Sequence, residues 1–125
     1  MATWNDVKAY IKQNYQTEDF ADGLKLVFGI DNQRSQLAFI QPIDSNWITI
    51  ESPISPIEKV DANKVLKSGI LGTAPGGLTV TGPLVMYRCN LYTDSIQGPE
   101  LVQALELVTL AADNIEKYLG LGDDW

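Results

Sequence analysis

Residues 98–120 read GPELVQALELVTLAADNIEKYLG, and this stretch has the most regular periodicity in the chain. Its apolar positions, which recur at alternating steps of four and three, are Leu101, Leu105, Val108, Ala112, Ile115 and Leu119. This spacing is typical of one face of an amphipathic helix. Pro99 and Glu100 suit a helix start, and Gly120 suits its end. The stretch therefore predicts a C-terminal helix whose apolar face must be buried against a second layer.

Strand-like segments upstream supply that second layer. Alternating or β-branched apolar residues occur at 24–30, 37–41, 47–54, 78–81 and 84–91. The polar stretches 31–33 and 44–46 predict turns that join the first three strands into a meander. Gly82 and Pro83 predict the turn of a second hairpin.

Two more helices are expected. Thr3 can cap a first helix over residues 4–15, in which Trp4, Val7 and Ile11 fall at helical spacing. The run from Ser55 to Glu58 has the form of a helix start, because serine can cap and the proline that follows suits the first turn. This second helix should end before residue 69.

These elements predict an α+β two-layer sandwich with a mainly antiparallel sheet of about five strands, in the order α-β-β-β-α-β-β-α. Both long helices should cover the same side of the sheet. The length of 125 residues fits a single domain. Residues 69–77 stay irregular in this interpretation, with Ile70 and Leu71 as a short edge pairing, and residues 121–125 form a flexible acidic tail.

Composition argues against several classes of function. The net charge of −7 disfavours contact with nucleic acid and with anionic membrane surfaces. Histidine is absent, which removes the commonest general base and metal ligand. With Cys89 as the only cysteine and no apolar run long enough for a signal peptide or a membrane span, we expect a cytoplasmic protein.

No segment predicts a catalytic, cofactor or metal site. The acidic group Glu18, Asp19 and Asp22 lacks the spacing of a calcium loop and is interpreted as a solvated link. The glycine-rich stretch 72–77 precedes a strand instead of opening a helix, so it does not predict a phosphate-binding loop. Cys89 is expected to be a buried structural thiol.

The element order, the length and the acidic balance resemble the fold shared by class I type III secretion chaperones and the YbjN family. The closing strand at 84–91, followed by a helix that contains Ala111, Ala112 and Asp113, is similar to the YbjN pattern. This resemblance implies a non-enzymatic and usually dimeric protein. In the secretion-chaperone branch it also implies a surface that holds extended polypeptide.

Strand alternation predicts where such a surface lies. If Leu24, Ile50 and Cys89 face the helices, an unusually apolar set of side chains faces the other way. This candidate partner-binding face consists of Val27, Ile40, Trp47, Leu84 and Met86. An apolar patch rimmed by charges often marks a protein interface. Alternatively, a β-bulge could shift which residues of a strand face the helices, or loops could cover these side chains. Trp47 could instead pack over the end of a strand.

The predicted second helix offers a candidate dimer contact through Val60, Val65 and Leu66, with core packing as the alternative. The leading hypothesis is a non-enzymatic polypeptide-binding protein, chaperone-like or adaptor, that acts as a homodimer. The second hypothesis is a small regulatory or ligand-sensing domain with a pocket between sheet and helices. Catalysis by carboxylates, lysine, tyrosine or Cys89 comes third, because no two of these groups show a recognisable spacing.

Overall fold

The computed structural model describes residues 3–29, 35–69 and 76–120. Within these ranges the α-helices are α1 (Trp4–Asn14), α2 (Ala62–Ser68) and α3 (Gly98–Tyr118). The strands are β1 (Glu18–Phe20), β2 (Gly23–Gly29), β3 (Ser35–Pro42), β4 (Trp47–Pro56), β5 (Gly77–Thr81) and β6 (Leu84–Tyr92). They pair antiparallel in the order β1-β2-β3-β4-β6-β5. The predicted α+β fold is confirmed, with six strands where about five were expected.

Some predictions lie outside the described residues. They are the turn at 31–33, the edge pairing of Ile70 and Leu71, the glycine and proline at 72 and 75, and the flexible tail at 121–125.

Helix α3 lies across the middle of the sheet, against β3, β4 and β6. Its predicted stripe is buried from Leu101 to Ile115, and Leu119 is partly buried just beyond the last turn. The helix follows Gln97, whose carbonyl accepts the first intrahelical bond from the backbone N–H of Leu101. No described helix is both long enough and apolar enough to cross a membrane.

Helix α1 covers the same side of the sheet as α3. The hydroxyl of Thr3 caps it by accepting a hydrogen bond from the backbone N–H of Asp6 at 3.2 Å. Val7 and Ile11 are fully buried in the core that the sheet shares with α3. The two helices meet where Gly98 approaches the ring of Tyr10 so closely that a Cβ atom would lie 2.5 Å from it. Both long helices therefore seal one sheet face, as the sequence predicts.

The register fixes which side chains face the helices. Leu24 pairs with Ile40, Ile40 with Ile50, and Ile50 with Cys89, so these four residues form one row on the core side. Ile40 is fully buried there. Its predicted assignment to the opposite face is therefore wrong. Residues 37–40 are all apolar, so their hydropathy does not indicate which alternate side chains of the strand face the core.

Strand β4 runs further than expected. Ser55 and Pro56, predicted to begin a helix, instead pair with Val85 and Leu84 of β6. Only a 3₁₀ turn follows, at Ile57–Lys59, and α2 begins later. Asp61 caps α2 by accepting a hydrogen bond from the backbone N–H of Lys64 at 3.2 Å. The predicted end before residue 69 is confirmed.

A buried polar seam joins β3, β4 and α3 where the β3–β4 ladder stops. Pro53 has no N–H to donate there, and side chains take over the pairing. The hydroxyl of Ser52 donates to the Leu37 carbonyl at 2.6 Å. The Gln36 amide donates to the Pro53 carbonyl at 2.5 Å and to Oε1 of Glu116 on α3 at 2.8 Å. The interrupted strand is thereby tied to its neighbour and to the helix layer.

Candidate polypeptide-binding face

The side of the sheet that faces away from α1 and α3 is called the reverse face here. All three described helices place their buried apolar residues in the single core on the other side. Several large apolar side chains of the reverse face are exposed to solvent, namely Val27 at 62%, Phe20 at 46% and Trp47 at 41% of their surface. Exposed apolar surface of this kind is typical of sites that contact another molecule.

An apolar groove of about 240 Å³ crosses the reverse face. Side chains from five of the strands line it, namely Phe20, Phe39, Gln41, Glu51, Thr81, Leu84 and Met86. The rings of Phe20 and Phe39 pack at one end, with centroids 5.0 Å apart. Met86 is only 4% exposed and forms part of the groove's lining. The groove is smaller than the roughly 300–1,000 Å³ of clefts that enclose drug-sized ligands, so it suits a side chain better than a small molecule.

The groove contains one charged side chain, that of Glu51, which is paired with Arg88. Oε1 of Glu51 accepts a hydrogen bond from the guanidinium of Arg88 at 2.9 Å, and its Oε2 accepts one from the Thr81 hydroxyl at 3.0 Å. These contacts link β4, β6 and β5 across the reverse face. Both oxygens of this buried carboxylate are therefore engaged, which suits a structural role and not a general base.

A second aromatic contact lies at the far end of β4. Trp47 pairs with Tyr92 of β6, and their ring centroids are 5.2 Å apart. The Tyr92 hydroxyl donates to the Asp94 carboxylate at 3.0 Å, and this hydrogen bond to an anion raises the pKa of the phenol. Asp44 accepts a hydrogen bond from the Trp47 backbone N–H at 3.1 Å, so a turn fixes the start of the strand. Trp47 both packs over a strand end and remains accessible.

The five residues predicted to form the partner-binding face lie in three different environments. Val27 and Trp47 are exposed on the reverse face, and Leu84 and Met86 line the groove. Ile40 is excluded, because it lies in the core on the other side. Sequence reasoning missed two important members of the groove, Phe20 and Phe39.

Phe20 was missed because its acidic neighbours suggested a solvated link, whereas residues 18–20 form strand β1. The available signal was the spacing that brings Phe20 opposite Gly23 across a two-residue turn. Phe39 was missed through the same parity error that misplaced Ile40.

The three residues predicted to form the dimer contact also differ in their exposure to solvent. Val65 is fully buried in the core, so its assignment to a dimer contact is wrong. Val60 is partly buried, while Leu66 is 68% exposed. Val60 belongs to a shallow apolar patch of about 170 Å³ beside strand β5. This β5-end patch is lined by Ile57, Val60, Ala62, Leu78, Thr79, Val80 and Val85.

A further cleft of about 280 Å³ lies between β6 and the first half of α3. Its base is apolar and includes Cys89, Leu91 and Ala104, whereas polar residues such as Glu100 and Gln103 stand exposed beside it. Burial raises the pKa of the Cys89 thiol, which favours its inert protonated form. Across the described ranges, no three cysteine or carboxylate side chains are grouped as metal ligands would be.

Solved structures share this fold over nearly the full chain. An uncharacterized protein from Methanothermobacter thermautotrophicus superposes with a TM-score of 0.62 at 10% identity, covering 93% of this chain and 95% of that chain. A chain of the HopA1–SchA chaperone–effector complex superposes with a TM-score of 0.61 at 14% identity, covering 88% and 89%. No family model matches the sequence, and no curated protein is significantly similar to it. The chain thus has a type III secretion chaperone-like fold, whereas membership of the YbjN family stays a prediction.

Proposed function

We propose that this chain is a non-enzymatic polypeptide-binding protein, chaperone-like or adaptor, which acts in the cytoplasm as a homodimer. The observation that carries the proposal is the reverse face. Large apolar side chains are exposed there, on the side of the sheet opposite the helices, beside a mainly apolar groove.

The chemistry of the reverse face favours protein over other macromolecules. The groove is mainly apolar, and the charge of its lining residue Glu51 is neutralised by the neighbouring Arg88. Protein interfaces have this composition, with few unpaired charges at their centre. A chain of net charge −7 repels nucleic acid and anionic lipid. The partner is therefore a polypeptide.

Sheet edges offer a second mode of binding to the same class of partner. Edge strand β5 (Gly77–Thr81) carries neither a charge nor a proline that would protect it against added strands. The opposite edge, β1, is three residues long and contains Glu18 and Asp19, so it is protected. An extended segment would therefore add at β5, where main-chain hydrogen bonds supply affinity.

The shared fold supports this assignment. One of the similar structures is described as a chaperone–effector complex, and the likeness extends over 88% of this chain. A sheet with one sealed face and one accessible face is well suited to holding a client while its own core stays intact. The proposal carries that role over to this chain.

The homodimer is proposed through the β5-end patch, with Val60 as a member and the exposed Leu66 of α2 as a further contact. This patch is an apolar surface that a second copy could cover. Val65 has no part in it, because it lies in the core.

Affinity capture from lysate of the source cell tests the binding function. Wild-type protein is compared with a Val27→Asp/Trp47→Ser double variant, which changes two exposed residues of the reverse face. The matched control is Leu110→Ser, which changes a 44% exposed leucine on α3. We expect polypeptides that wild type and control retain and the double variant loses. An identical set in all three samples, or none in any, would contradict the proposal.

A further inference from the structure

The groove on the reverse face ends at the β1–β2 hairpin. Phe20 lies opposite Gly23 across a two-residue turn. Gly23 has no side chain, and a Cβ atom there would lie 2.1 Å from the Ile40 carbonyl oxygen. The Phe20 ring can therefore reach over β2 to the Phe39 ring on β3. This glycine allows β1 to contribute an aromatic wall to the groove.

The groove's lining determines what it can accept. The walls are mainly apolar and include Phe20, Phe39 and Met86, and the only charged lining residue, Glu51, is neutralised by Arg88. A lone charge entering this space would lose hydration without finding a free partner. The volume of about 240 Å³ suits one large apolar side chain.

Acidic side chains outnumber basic ones beside the Phe20 wall. Glu18 and Asp22 are both exposed within two positions of Phe20, and neither has an ion-pair partner among the described residues. Lys25 stands opposite Glu18 in the register, but the two do not form an ion pair. The net charge of −7 adds a long-range field of the same sign. This end of the groove therefore complements a cation.

A second copy of this chain does not fit these charges. Two chains that docked through their reverse faces would bring the unpaired carboxylates of Glu18 and Asp22 from both copies to one interface. A segment with lysine or arginine meets the same surface with attraction. Charge complementarity thus selects a basic polypeptide as the occupant.

We infer that the groove takes one large apolar side chain of a basic polypeptide segment, and that a lysine or arginine next to that side chain contacts Glu18 and Asp22. The inference rests on the proposed polypeptide-binding function and names the substrate class. Phe20, Phe39 and Met86 select the apolar side chain. The hairpin carboxylates select its basic neighbours.

Fluorescence anisotropy with three labelled peptides tests this inference. The first peptide is Gly-Ser-Lys-Phe-Lys-Ser-Gly; the second has glutamate for both lysines, and the third has serine for phenylalanine. We expect the first to bind wild-type protein at least about tenfold more tightly than either of the others, as an anchor residue and charge steering together would give. Equal affinities for the lysine and glutamate peptides would overturn the inference.

Variants of the protein test the apolar contact and the charged contact separately. Phe20→Ser should weaken binding of the first peptide about tenfold, while Leu110→Ser leaves it unchanged. The exposed pair Glu18→Gln/Asp22→Asn should reduce the preference for lysine over glutamate about three- to tenfold, as loss of exposed charge contacts gives. Its matched control, Glu58→Gln/Glu106→Gln, removes the same charge elsewhere and should keep the preference. If both double variants lose the preference for lysine, the preference arises from the overall negative charge of the protein, and the proposed contact with Glu18 and Asp22 is overturned.

Two other outcomes separate this inference from the proposed function. If the peptides fail to bind while affinity capture still depends on Val27 and Trp47, the groove inference falls and the proposed function stands. If Phe20→Ser lowers the mass of the particle by light scattering, the occupant is a second copy, and the inference is overturned. Failure of both peptide binding and capture removes both proposals.

Discussion

Nε2 of Gln36 on β3 lies 2.8 Å from Oε1 of Glu116 on α3, so a buried amide donates a hydrogen bond to a buried carboxylate across the two layers. The same nitrogen donates to the Pro53 carbonyl, at the point where the proline interrupts the ladder between β3 and β4. One side chain therefore replaces a missing ladder contact and anchors the last turns of the helix.

Replacing Gln36 with methionine should reveal this anchor. Gln36→Met keeps the side-chain length but removes the donor to two buried acceptors, and we expect a loss of about 1–3 kcal/mol of unfolding free energy. Urea denaturation followed by circular dichroism measures it. Gln13→Met, an exposed change on α1, is the control and should be close to neutral. Equal midpoints for the two variants would contradict the anchoring role.

The Glu51–Arg88 pair predicts a non-additive effect. Arg88→Met leaves the buried Glu51 carboxylate with only the Thr81 hydroxyl among its described partners, and we expect a loss of about 1–3 kcal/mol, since Arg88 is partly exposed and water screens the pair. The double variant Glu51→Met/Arg88→Met removes both charges. It should recover part of the loss in the same denaturation experiment. A double variant no more stable than Arg88→Met alone would refute the argument.

The sequence predicted most of the core side of this sheet, and the reasons for its failures are local. Leu24, Ile50 and Cys89 alternate with residues of different hydropathy and were placed correctly. Residues 37–40 are all apolar, so only the pairing with β2, and not their composition, could place Ile40 in the core. The groove was half predicted, because Leu84 and Met86 follow from alternation, whereas Phe20 depends on the turn that brings β1 onto β2.

The failure at Ser55 and Pro56 has a different cause. The local sequence favours a helix start, but pairing with β6 satisfies the backbone there instead. The backbone N–H of Ile57 even extends this pairing to the Pro83 carbonyl at 2.9 Å. Tertiary contacts of this kind, made to a strand nearly thirty residues downstream, have no signature in the local pattern.

The β1–β2 turn should gain stability from a glycine. Ala21 has a φ of +51°, a left-handed conformation that is unfavourable for a residue with a Cβ atom. We expect Ala21→Gly to raise the unfolding free energy by about 1 kcal/mol, because the left-handed conformation costs a residue with a Cβ atom more than glycine loses through its greater freedom in the unfolded chain. Gly69→Ala, at a φ of +74°, provides the opposite change and should lower it by a similar amount. A destabilised Ala21→Gly would contradict the turn geometry.

Alkaline pH should destabilise the fold, in part through Cys89. Burial raises the pKa of its thiol in the folded state, so the folded chain holds this proton more tightly than the unfolded chain does. The resulting stability is fully present below the unfolded pKa of roughly 8.5 and is lost as pH rises toward the folded value. We expect the unfolding free energy of wild type to fall more steeply above about pH 8.5 than that of Cys89→Ala.

Tyr87 is the internal control for that experiment. Burial also raises the pKa of its phenol, and both proteins retain it, so a shared decline at higher pH should remain in Cys89→Ala. Parallel curves for the two proteins from neutral pH upward would show that Cys89 makes no contribution.

The proposed dimer predicts a change in mass on substitution of a single exposed leucine. Leu66 is 68% exposed on α2, and an aspartate there would place an unpaired charge inside the proposed contact. We expect size-exclusion chromatography with light scattering to give twice the mass of one chain for wild type and the mass of one chain for Leu66→Asp. Leu110→Asp introduces the same charge on α3 and should keep the wild-type mass. A wild-type mass of one chain at every accessible concentration would refute the dimer, while leaving binding to the reverse face to be judged by the capture experiment.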